Sequence, residues 1–162
     1  MDTAARHMID GVIAALQAGM PAALTSIDAE VPAPANTSYL RWGRPSWPHL
    51  PAVEVSLTMI DGVDVDPSRR HAYAAVEVMC VTHAQRPGLG HEGLMDLLDT
   101  YAQAIVTVAA EHPGGMVGVG SHLTGFRMEH RADPWFRDTN DAPSRASLVV
   151  LRFSTDVDLQ GV

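Results

Sequence analysis

From Val53 to Ile60 the apolar residues Val53, Val55, Leu57 and Met59 alternate with Glu54, Ser56 and Thr58. A period of two belongs to a strand with one face in a core and the other outside it. A strand of this kind needs paired neighbours and cover for its apolar face, so the rest of the chain must supply both. Asp61-Gly62 follows as a turn signal. The run HAYAAVEVMCVTHA, beginning at His71, then reads as a second strand. The intervening Asp66-Pro67-Ser68 suits an antiparallel hairpin with a longer loop.

Two segments can cover that hairpin. Between Ala5 and Ile27 the residues Ile9, Val12, Ile13, Leu16, Met20, Leu24 and Ile27 recur three or four apart and form one helical stripe. Gly19 and Pro21 interrupt it, and a proline removes a helical donor, so a kink or a restart is expected there. After Pro87-Gly88-Leu89-Gly90, the residues Leu94, Leu97, Leu98, Tyr101, Ile105 and Val108 mark a second helix ending near His112-Pro113-Gly114-Gly115. Between Val31 and Pro51, five prolines stand among Tyr39, Trp42 and Trp47. That composition resists both helix and central strand and reads as a loop with aromatic anchors.

A glycine-interrupted strand from about Met116 to Met128, a polar loop through Pro134 and Pro143, and a last strand over Ala146 to Leu159 complete the chain. The expected class is α+β, one domain over 1–162 in the order α-β-β-α-β-β. Its four-stranded sheet is mixed or mainly antiparallel, with two main helices on one face.

Composition narrows the function. A formal net charge of -8 opposes holding nucleic acid by phosphate neutralisation, which needs a clustered basic surface. Charged residues make up 19% of the chain against roughly 25% in ordinary domains, so part of the surface is expected to be covered by partners. No run approaches the ~20 uninterrupted apolar residues of a membrane span, and the start at Asp2 is not a basic leader, so a cytosolic product is expected. Cys80, the one cysteine, lies in an apolar run and reads as a core residue rather than a reactive thiol.

The chemical signals are weak. Eight histidines are dispersed without an HExxH or a CxxC framework, so no metal or cofactor is expected. Asp61, Asp64 and Asp66 lack the spacing of a cation loop and read as a solvated hairpin turn. Gly88-Leu89-Gly90 and Gly118-Val119-Gly120 lack the complete phosphate-binding pattern. No GxSxG elbow occurs, and Ser121 and His122, as neighbours on a strand, point to opposite faces. Asp96 and Asp99 read as solvated helix carboxylates. No catalytic residue is named. Trp42, Trp47, Trp135 and Phe136 carry more information: each lies in a proline-bearing loop and must either fold back or meet another chain.

The helix IDGVIAALQAGMPAAL, the strand PAVEV, the hairpin into AAVEVMCV, the helix YAQAIVTVAAEHPGG and the closing SLVVLRFSTDVDL together resemble the tail terminator, or tail-completion, proteins of lambda-type long-tailed bacteriophages. The likeness spans nearly the whole chain as element order, length and texture. It implies a virion protein of the tail-neck region, made in the host bacterial cytoplasm, that forms a homo-oligomeric ring, typically a hexamer. The ring caps the tail tube, stops its polymerisation and presents a docking surface to a head-tail connector or head-closure protein. DNA would pass through the lumen without specific binding, and no membrane partner is implied.

By element order the assembly contacts are expected in the strand from Met116, the Arg131–Arg145 loop and the Trp42–Trp47 loop. The residues named are Trp42, Trp47, Arg131, Trp135, Phe136, Arg137 and Arg145. The rival readings are another phage neck component such as a connector or minor capsid protein, a small-ligand or metal-binding enzyme with a dispersed site, and a monomeric module binding through Trp42 and Trp47.

Overall fold

The computed structural model describes residues 2–42, 49–64, 69–83, 90–112, 116, 121–131 and 144–158. Among them run helix α1 (Asp2–Ile27), strands β1 (Tyr39–Arg41), β2 (Ala52–Asp64) and β3 (Arg69–His83), helix α2 (His91–Glu111), then β4 (His122–Arg131) and β5 (Ser144–Asp158). The strands form one sheet in the order β1-β2-β3-β5-β4. All pairings are antiparallel except β1 with β2, which is parallel. The α+β class therefore stands, with five strands rather than four.

The additional strand is β1, inside the proline-bearing segment expected to be a loop. It is only three residues long and lies at the sheet edge, where prolines before and after it break no ladder. Two other expectations are corrected. Asp61 and Gly62 do not turn the chain but pair with Tyr73 and Ala72, so β2 runs on to Asp64; Asp66 lies outside the described residues. Met116 is helical and buried, and β4 begins only at His122.

One face of the sheet carries both helices. Val53, Val55, Val76, Val78, Cys80, Val149, Leu151 and Phe153 point into the core that α1 and α2 close. From α1 come Met8, Val12, Leu16, Met20 and Leu24, all buried, whereas Ile27 at the end of the stripe is exposed. Each residue predicted for the α2 stripe, Leu94 to Val108, is buried. α1 is continuous through Pro21, with no restart. Pro21 sits on the exposed side, and the buried Met20 and Leu24 around it hold the helix on the core. The span Arg6–Ile27 is long and apolar enough to cross a membrane by length and composition. In this fold its apolar stripe is spent on α2 and the sheet.

Gly19 sits where the helices meet. A Cβ built there would stand 2.9 Å from Cγ2 of Val108 on α2, so a glycine lets the two backbones approach. Across the core the Tyr101 hydroxyl donates to the Pro32 carbonyl at 2.8 Å, and Gln17 donates to the Asn36 carbonyl at 2.9 Å. These bonds fasten the segment between α1 and β1. Arg41 then binds Asp10 of α1 through its Nε at 2.8 Å and a second guanidinium nitrogen.

The sheet is bent along one row. The register slips between Leu57 and Met59 in β2 and between Leu123 and Gly125 in β4. Each skipped residue is a threonine. Thr58 donates to the Ala75 carbonyl at 3.0 Å and Thr124 to the Arg152 carbonyl at 3.1 Å. Ala75 and Arg152 are themselves register partners, so the two bulges face each other across the sheet. Bulges increase the local twist and bend of a strand, and here both fall in one row.

Candidate assembly surface

The face away from the helices is built from the alternate residues of the same strands. Leu40, Ala52, Val81 and Ala146 form a small buried cluster at one end of it, with Leu50 and Met79 packed alongside. Beyond them a shallow groove of about 600 Å³ follows the bulged row, lined by Thr58, Tyr73, Glu77, Thr124, Arg127 and Arg152. Two guanidinium groups and one carboxylate surround an apolar floor of Ala75 and Val150. Ser121, just before β4, is buried, and His122, the first residue of β4, is exposed. Among the described residues no three His, Cys, Asp or Glu side chains gather as a metal site.

Of the seven residues named from the sequence, three lie among the described residues: Arg131 and Arg145 come at neighbouring register positions, since Arg131 pairs with Ala146, and Trp42 is set apart from them across the sheet. Trp42 follows β1 at one sheet edge; its backbone donates to the Val55 carbonyl at 3.0 Å and its side chain is 48% exposed. It stands on the helix-free face beside Ser56 and Met79. Arg131 ends β4 on the opposite edge. Arg145 is not in a loop but in β5, half-buried and in register with Thr82. Trp47, Trp135, Phe136 and Arg137 lie outside the described residues.

Residue by residue, the sequence did not single out Phe126 and Met128. They are 51% and 46% exposed, on the helix side of β4, in register with the core residues Leu151 and Val149. Their strand is the sheet edge, and α2 lies mainly over β5, touching β4 less. His130 binds Asp99 of α2 at 2.7 Å, so Asp99 is engaged rather than merely solvated. Alternation within HLTGFRMEHR marks an inward pair; its exposure depends on α2 stopping short of the edge.

Two buried titratable groups of the core are shifted by their surroundings. Burial pushes the Cys80 thiol up, out of the range of a reactive thiolate. Burial and then the neighbouring Cys80 push the Tyr39 hydroxyl up as well. Tyr39 is 6% exposed and its hydroxyl meets no hydrogen-bond partner among the described residues.

No protein-family model matches the chain, and no curated protein sequence matches it. A chain from a solved structure titled as the virion of a native gene transfer agent particle is similar at 21% identity, covering 90% of this chain and 98% of that chain, with a TM-score of 0.42.

Proposed function

We propose that this chain, acting as one domain over 1–162, is a virion assembly protein of the tail-terminator type. Its subunits close into a ring, a hexamer, that caps the tail tube, ends its growth and offers the docking surface to a head-tail connector or head-closure protein. The observation that carries the reading is a five-stranded sheet with both helices on one face, joined to a sequence whose element order resembles that family. A ring requires heterologous contacts, in which one patch of each copy meets a different patch of the next. Trp42 and Trp47 at the β1 side, and Arg131, Trp135, Phe136, Arg137 and Arg145 around the β4–β5 connection, are the patches proposed.

The net charge of -8 fits this role, because a negative lumen repels phosphates and lets DNA slide. The test is a virion assembly system lacking this protein. The expected result is tails of uncontrolled length with no joined heads; tails of normal length overturn the reading.

A further inference from the structure

Strand β4 is a long edge, and beyond its bulge at Thr124 the run Gly125–Arg131 is regular. It has ten residues, no proline and no lysine, and two large apolar side chains, Phe126 and Met128, on its exposed margin. Nothing among the described residues pairs with its outer side. Natural proteins blunt such edges, because a row of free N–H and C=O groups templates pairing with another chain.

We infer that β4 pairs antiparallel with β4 of a second copy of this chain, about a two-fold axis at Met128. The register follows from charge. With the axis at Met128, Arg127 of each copy faces Glu129 of the other, and this pairing occurs twice. Met128 then meets Met128, while Phe126 lies across from His130 on the helix side. Within one chain Arg127 and Glu129 already share the helix-free face at 3.9 Å, so the four groups form one alternating cluster. Moving the axis to Arg127 sets two arginines opposite each other, and moving it to Glu129 sets two glutamates opposite each other. Like charges directly across a strand pair are destabilising, so both neighbouring registers are disfavoured. Met128 is also the midpoint of Gly125–Arg131, the part of β4 beyond its bulge. Charge and backbone regularity select the same centre.

This contact buries Phe126 and Met128 and joins two five-stranded sheets into one. A two-fold contact closes on itself and does not propagate round a ring, so it belongs to the free chain and stands independently of the tail reading.

The test is mass in solution by light scattering. The wild-type chain is expected to show the mass of two copies rather than 17.4 kDa. Arg127→Glu and Glu129→Arg, each alone, place like charges across both pairs and are expected to weaken the dimer about tenfold or more. Mixing the two single variants restores complementary pairs, so the mixture is expected to dimerise, as is the double variant R127E/E129R. In a second measurement Met128→Cys brings two Cα atoms within disulfide range across the axis and is expected to oxidise to a linked dimer. Thr107→Cys on α2 serves as the control and is expected to remain unlinked. A wild-type monomer, a dimer indifferent to the single changes, or single variants that fail to pair when mixed overturns the proposal.

Discussion

At the level of single residues, Gly19 shows how a local rule and a tertiary contact oppose each other. An alanine there gains about 1 kcal/mol of helix propensity. The same Cβ would press on Val108, a stiff β-branched side chain that is 2% exposed, and overpacking of this kind costs about 1–3 kcal/mol. Gly19→Ala is therefore expected to destabilise by about 1 kcal/mol in urea unfolding, and to become stabilising in a Val108→Ala background. Additive effects in that double-mutant cycle would show that the helices do not meet there. Tyr39 gives the opposite case. Its buried hydroxyl has no partner among the described residues, so Tyr39→Phe is expected to raise stability by up to about 1 kcal/mol. Neither effect is visible in the sequence, where Gly19 reads as an interruption and Tyr39 as a loop aromatic.

Among the elements, the paired bulges are the most testable feature. Thr58 and Thr124 each donate a hydroxyl hydrogen bond to the carbonyl of a residue at the slip. Thr58→Val and Thr124→Val keep the shape and remove the donor. Each is expected to cost about 0.5–1 kcal/mol, at the lower end because both sites are exposed and water replaces part of the bond. Equal stability of the double variant and the wild type would mean that the hydroxyls do not hold the bend. The Arg41–Asp10 pair tying β1 to α1 is half-exposed, so Arg41→Ala is expected to cost less than about 1 kcal/mol. Helices α1 and α2 and strands β2, β3 and β5 were legible because their apolar periods extend over many residues. Strand β1 was not, since three residues carry no period and only the parallel contact with β2 makes them a strand.

For the molecule as a whole, the core sets an alkaline limit. Cys80 and Tyr39 are held neutral by burial in the fold and return to ordinary values, about 8.5 and about 10, when it opens. Because both folded values are raised, the stabilisation they give is full below those unfolded values and is lost as pH rises past them. Urea midpoints are thus expected to fall from about pH 8.5 upward, less steeply in a Cys80→Ala/Tyr39→Phe chain. An unchanged slope in that chain would remove these two groups as the cause. By itself the sequence determined the α+β class, the faces of both helices and the hairpin, because burial imposes periods of 3.6 and 2 on the residues themselves. Tertiary structure decided the rest: that β4 is an edge, that Phe126 and Met128 stay exposed beside a core, and that the two bulges share a row. Each of these depends on which strands become neighbours and how far α2 reaches, and such long-range placement leaves no period in the chain.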